Sequence, residues 1–97
     1  MSEEFKFRRM KKTTENIVAV IRESIRKKDH SVVIWLSYGS GIVIALDELN
    51  KLEEYETGFS ASFKNIYTWV IIRTKDVRII DIYKRKSPIQ TGQVIFE

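Results

Sequence analysis

The sequence predicts one α+β domain over residues 1–97, in which a helix followed by a β-hairpin occurs twice (αββαββ). Two apolar segments joined by a short glycine-containing turn within residues 31–46 predict the first hairpin. A similar apolar pattern over residues 68–83 predicts the second, and a segment of helical periodicity precedes each hairpin. We expect the strands to form a four- to five-stranded antiparallel sheet with both helices on one face.

The length and composition of the chain exclude several classes of protein. A chain of 97 residues is long enough for one hydrophobic core. It contains no cysteine, which excludes disulfides, thiolate zinc sites and a cysteine nucleophile. No apolar run is long enough to cross a bilayer and residues 1–4 do not start a signal peptide, so we expect a cytoplasmic protein without membrane contact. Abundant lysine, glutamate and isoleucine are typical of thermophile proteins.

The formal net charge of +4 is unevenly distributed. Residues 1–46 and residues 59–97 each carry a net charge of +4, whereas residues 47–58 carry −4. Basic ends around an acidic middle favour attraction of a polyanion to one face of the protein, or head-to-tail contact between copies.

The N-terminal segment, residues 5–12 (FKFRRMKK), alternates apolar and basic side chains. This alternation predicts either an edge strand, whose charges discourage pairing with another sheet, or a basic arm that lies along phosphates. A helix is predicted over residues 14–28, because Ile17, Ile21 and Ile25 are four residues apart and a threonine precedes the first turn. The β-branched run IVAVI inside it leaves a strand as the alternative.

The first hairpin is predicted to turn at residues 38–41, because glycine adopts positive φ angles freely. His30, the only histidine, lies just before this hairpin and follows three charged residues. We expect it to be a solvated loop residue, since a metal site needs clustered ligands.

A second helix is predicted over residues 47–57, because apolar residues recur at three-residue steps from Leu46 to Tyr55. The strand before it and the helix itself read GIVIALDELNKLEE. This segment resembles the strand-then-helix end of PC4-like single-stranded-DNA-binding domains. The resemblance implies that a strand runs into an amphipathic helix over residues 41–54.

The last third of the chain is expected to supply the second hairpin. Residues 58–65 predict an irregular connection, and strands over residues 66–73 and 77–85 are expected to pair around a turn at residues 74–76. The final apolar segment, GQVIFE, predicts a short fifth strand at the sheet edge, where the preceding proline is tolerated. Asp81 is interpreted as part of a salt bridge at the sheet edge.

One face of the predicted sheet combines aromatic rings with cations. Side chains alternate between the two faces along a strand, and the richer face collects both tryptophans with several basic residues. Single-stranded nucleic acid binds to this combination, because bases stack on aromatic rings while a positive groove follows the backbone. The predicted binding residues are Trp35, Tyr67, Trp69, Arg73, Arg78, Lys84, Arg85 and Lys86.

The leading hypothesis is therefore a small non-enzymatic protein that binds single-stranded DNA or RNA as a homodimer or higher homo-oligomer. The alternative is a protein-interaction module that uses the apolar sheet face, with both tryptophans as core residues or interface anchors. An enzyme ranks last, because one histidine and no cysteine leave few groups for proton transfer near neutral pH. We assign no catalytic residue, metal or cofactor.

Overall fold

The computed structural model describes residues 5–85 and 87–97, and within them it shows a mostly β protein with a single α-helix. Two 3-10 turns, Leu46–Glu48 and Thr74–Asp76, separate consecutive strands. The elements are β1 (Lys6–Met10), α1 (Thr14–Ile25), β2 (His30–Leu36), β3 (Gly41–Ala45), β4 (Leu49–Glu54), β5 (Gly58–Phe63), β6 (Ile66–Arg73), β7 (Val77–Lys84) and β8 (Gln90–Phe96).

The strands form two sheets. A five-stranded sheet has the order β1-β8-β7-β2-β3, and a three-stranded antiparallel sheet has the order β4-β5-β6. β1 pairs with β8 in parallel, whereas the other neighbours in the larger sheet are antiparallel. The chain passes between the sheets at the two 3-10 turns, from β3 to β4 and from β6 to β7. Each turn is therefore a corner of the fold.

The first predicted helix is confirmed by α1, although α1 ends at Ile25 rather than at residue 28. Thr13 caps its N-terminus, since the Thr13 Oγ1 accepts a hydrogen bond from the Asn16 N–H at 3.0 Å. Ile17 and Ile21 are fully buried. The β-branched side chains of α1 face the core, where packing outweighs their weak helix propensity.

The second predicted helix, over residues 47–57, is wrong, and with it the αββαββ class. The segment forms a 3-10 turn and then β4. The three-residue spacing arises from a β-bulge at Asn50 in the pairing of β4 with β5. The bulge shifts the alternation by one residue, so Leu49 and Leu52 both pack against the core, as they would in a helix. The implied strand-then-helix unit over residues 41–54 is therefore absent.

The first hairpin is confirmed and the second is wrong. β2 and β3 pair antiparallel, and Gly39 in their turn has a φ of +91°. β6 and β7 span almost the same residues as the two predicted strands, but they belong to different sheets. The 3-10 turn at Thr74–Asp76 carries the chain around a corner instead of reversing it, and the Ser37 N–H stabilises the corner by donating to the Asp76 carbonyl at 2.7 Å.

The prediction of a single antiparallel sheet with helices on one face is also wrong, as the positions of β5, β8 and β1 show. Residues 58–65, expected to be irregular, contain β5, the central strand of the smaller sheet. β8 lies between β1 and β7 rather than at an edge, and β1 forms the edge of the larger sheet.

Side chains from α1 and from both sheets form one hydrophobic core. Phe59 on β5 is its largest fully buried member. His30, expected to be solvated, is only 1% exposed, because it begins β2 and shares the inward face with Val32 and Ile34 at two-residue steps. The His30 Nδ1 lies 2.8 Å from Asp29 Oδ1.

Candidate nucleic-acid interface

The outer face of the three-stranded sheet carries a row of exposed aromatic and apolar side chains. Along β6, alternate side chains point away from the core. Tyr67 is fully exposed, and Trp69 and Ile71 are 63% and 67% exposed. The opposing residues on β5 are serines, whose short side chains leave the rings uncovered. We call this surface the platform, and it consists of Tyr67, Trp69 and Ile71 on β6 with Ser60 and Ser62 on β5.

Trp69 stands between two shallow grooves. The larger groove, of about 620 Å³, also contacts Tyr67 and Lys64 beside the β5–β6 turn. The smaller groove, of about 220 Å³, reaches Lys51 and Tyr55 beside β4. An exposed indole with a groove on each side is open to a planar ligand from both directions.

The charges around the platform nearly cancel. The Lys51 Nζ lies 2.7 Å from Glu53 Oε1, and this hydrogen bond lowers the pKa of Glu53 and raises the pKa of Lys51. At the far end of β6, the Arg73 Nε donates to Asp76 Oδ2 at 3.0 Å. Lys64 is exposed in the β5–β6 turn. The platform is therefore an aromatic surface with a small positive excess, and it is not a strongly basic groove.

The structure divides the predicted binding residues between different surfaces. Tyr67, Trp69 and Arg73 lie on β6 at the platform. Trp35 projects instead from β2, on the outer face of the five-stranded sheet. The predicted common face does not form, because it required β6 and β7 to be neighbours in one sheet.

The remaining predicted cations lie near β7. Arg78 and Lys84 are exposed residues of β7. Arg85 follows β7 and forms ion pairs with two carboxylates at the β3–β4 corner, so its guanidinium is already engaged. Lys86 lies outside the described residues. Further exposed cations, which the prediction did not include, lie on β1, on α1 and just after α1, among them Lys6, Arg22, Arg26 and Lys27.

A polar network at Asp81 lies at the centre of the outer face of the five-stranded sheet. The Trp35 Nε1 donates to Asp81 Oδ2 at 2.9 Å, and the Gln90 and Gln93 side chains donate to Oδ1 at 3.0 and 2.9 Å. Asp81 is only 8% exposed. The expected salt bridge at a sheet edge is wrong, because β7 is an interior strand and these three partners are neutral.

Sequence reasoning missed this network for a specific reason. The only local signal is one aspartate inside an apolar strand, followed by the two glutamines of QTGQ. Gln93 meets Asp81 through the pairing of β7 with β8. That register depends on long-range packing, which a single sequence does not reveal.

Comparisons with protein-family models, curated proteins and solved structures find no match to this chain. No helix among residues 5–85 and 87–97 is long and apolar enough to cross a membrane. The same residues contain no group of three or more histidine, aspartate or glutamate side chains placed to hold a metal ion.

Proposed function

We propose that the protein binds single-stranded nucleic acid through the platform and does so without catalysing a reaction. The observation that carries this proposal is the pair of exposed rings of Tyr67 and Trp69, two residues apart on one face of an antiparallel sheet. Exposed apolar surface of this kind is a typical mark of a binding site. Bases suit it because each one has a planar π-face that stacks on an aromatic ring.

The energetics set the expected strength of binding. Two stacked bases contribute about 2 to 6 kcal/mol, at roughly 1 to 3 kcal/mol each. Stacking alone therefore gives dissociation constants no tighter than tens of micromolar, and phosphate contacts have to add to it. Lys51, Lys64 and Arg73 are the cations that surround the platform.

The salt dependence follows from the number of these cations. Lys51 and Arg73 are ion-paired, so they reach a phosphate only by leaving Glu53 and Asp76. Each neutralised phosphate of a single strand contributes about −0.7 to the slope of log K against log salt, so the slope is roughly −0.7 for Lys64 alone and roughly −2 for all three cations. Raising the salt from roughly 50 to 200 mM is then expected to weaken binding about 3- to 20-fold. Binding along the cations of β1 and α1 would give a steeper slope, because more phosphates would be neutralised.

The test is fluorescence anisotropy with a labelled oligodeoxythymidylate of about 12 nucleotides, a length within the range of single-strand sites. Trp69→Ala removes one exposed ring without opening a core cavity, and we expect it to weaken binding about 5- to 150-fold. Trp35→Phe changes the other tryptophan, which lies on the other sheet, and Arg85→Gln removes a cation that is engaged with carboxylates. Both control variants are expected to bind like the wild type.

Three results would contradict the proposal. The wild-type protein could fail to bind at low salt, which would exclude nucleic-acid binding altogether. Trp69→Ala could bind like the wild type, which would exclude the platform. Loss of binding on replacement of Arg26 and Lys27 by glutamine, with a steep salt slope, would move the site to α1.

A protein-interaction function is the second candidate. Phe7 and Val43, on the outer face of the five-stranded sheet, are exposed apolar side chains that a partner would cover. Collisional quenching of tryptophan separates the two functions: protection by protein concentration alone supports interaction, and protection by the oligonucleotide supports nucleic-acid binding. We also propose a cytoplasmic location, as the sequence predicts, because single-stranded nucleic acid would be available to the protein there.

A further inference from the structure

The outer face of the five-stranded sheet is a broad surface in which apolar side chains surround the Asp81 network. Strand register aligns Phe7, Gln93, Asp81, Val33 and Val43 in one row across all five strands. The adjacent row consists of Arg9, Ile95, Ile79, Trp35 and Gly41.

The Trp35 ring lies across the sheet surface instead of projecting from it. A Cβ atom on Gly41 would come within 2.9 Å of the Trp35 ring, so the ring passes directly over that glycine on β3. The indole N–H points the other way, to Asp81 on β7. A sheet face without a projecting ring is suited to packing against another sheet, at about 10 Å between the two backbones.

The charges on this face suit contact with an identical surface. Within its two rows only Arg9 and Asp81 are charged, and Arg9 is ion-paired with Glu97 at the rim. Both Asp81 oxygens already accept hydrogen bonds from the protein itself, so covering the face leaves no carboxylate oxygen without a donor. A two-fold axis brings like residues together, and a face with few uncompensated charges avoids the repulsion that follows.

The size of the face is sufficient for a weak dimer. Five strands at about 4.8 Å spacing and a length of about 20 Å give roughly 500 Å² per copy, or about 1,000 Å² for a pair. Specific interfaces start at about 1,000 Å² in total. Interfaces of this small size are typical of weak complexes, so we expect the dimer to form only at high protein concentration.

We infer that a second copy of the chain covers this face, and that the two sheets pack around a two-fold axis near Asp81. Val43 and Phe7, at the two ends of the row that contains Asp81, become buried in the dimer, and Trp35 becomes shielded from solvent. The platform lies on the other sheet, so the dimer presents two platforms. The inference is independent of nucleic-acid binding.

Sedimentation velocity over about 1 to 500 µM, a range chosen for an interface of this small size, tests the inference. We expect the wild-type protein to shift from monomer to dimer across this range. Val43→Glu places a charge on the covered face, and Ile71→Glu places one on the platform at a side chain of matching exposure, 66% against 67%. Val43→Glu should remain monomeric, whereas Ile71→Glu should dimerise like the wild type.

The results that overturn the inference are distinct. A wild-type protein that stays monomeric at the highest concentration excludes the dimer. A dimer that is lost in Ile71→Glu and kept in Val43→Glu moves the interface to the platform. In a Trp69→Phe background, acrylamide quenching of Trp35 should fall as the dimer forms, and unchanged quenching would exclude this face. Val43→Glu is expected to retain its affinity for the oligonucleotide, so failure of either proposal leaves the other standing.

Discussion

Gly58 is the position where a single methyl group is expected to disturb the platform sheet most directly. It begins β5 and pairs with Arg73 on β6. A Cβ atom at Gly58 would lie 2.4 Å from the Ile72 carbonyl oxygen and 3.2 Å from the Arg73 Cα. Both of these are backbone atoms, so no change of rotamer relieves the clash. Gly58→Ala must therefore push β5 and β6 apart.

The size of the effect follows from these distances. Ordinary contact begins near 3.4 Å, so the strands have to separate by about 1 Å at this point. A backbone hydrogen bond stretched by that amount is lost, which costs about 1 kcal/mol, and the overpacking adds roughly 1 to 3 kcal/mol. We expect Gly58→Ala to lower the free energy of unfolding by about 2 to 4 kcal/mol. In urea this moves the midpoint down by about 1 to 3 M.

Gly39→Ala is the matched control, because it separates backbone strain from steric clash. Gly39 has a φ of +91° but has no atom within 4 Å of an added Cβ. Its replacement is expected to cost about 1 kcal/mol, the penalty for an L-residue in the left-handed region. Urea unfolding followed by circular dichroism compares the two variants. If Gly58→Ala is no less stable than Gly39→Ala, the close approach of β5 to the Ile72 carbonyl is refuted.

Two further predictions concern carboxylates. Asp81→Ala removes the acceptor of three side-chain donors, so we expect the free energy of unfolding in urea to fall by about 1 to 3 kcal/mol. Asp81→Asn keeps one acceptor oxygen and should lower it by less. An alanine variant as stable as the wild type would show that the donors find other partners. The hydrogen bond from His30 lowers the pKa of Asp29 below its ordinary value of 3.8. A lowered native pKa stabilises the folded protein at pH values above the ordinary pKa, and this contribution is lost as the pH falls through the lowered value. Carbon-detected NMR titration should therefore place the Asp29 midpoint below 3.8, and a midpoint at or above 3.8 would contradict the bond.

Local sequence patterns were sufficient for the elements whose signals are local. The threonine cap and the isoleucine stripe identify α1, and the glycine turn identifies the β2–β3 hairpin. The placement of Tyr67 and Trp69 on one face also follows from the alternation along a single strand, whereas their exposure does not. These features depend on residues within a few positions of one another, so one sequence contains them.

The remaining errors share a physical cause. The bulge at Asn50 gives β4 a helix-like spacing, and only its pairing with β5 distinguishes the two structures. The corner at Thr74–Asp76 separates two well-predicted strands into different sheets. The Asp81 network depends on the register of β7 with both β2 and β8. Each of these is set by contacts between segments distant in sequence, where local propensity has little influence.

The separation into two sheets changes how the two functional hypotheses relate to each other. In a single sheet with helices on one side, Trp35, Tyr67 and Trp69 would share one face, and nucleic acid and a second copy would compete for it. In the observed fold, Tyr67 and Trp69 lie beside serines and paired charges, which tolerate water, whereas Trp35 lies among apolar neighbours with its polar partner already satisfied. The surroundings of Tyr67 and Trp69 suit a ligand that exchanges with solvent, and the surroundings of Trp35 suit a surface that a partner covers. Binding of nucleic acid and self-association therefore make separable predictions for substitutions on each face.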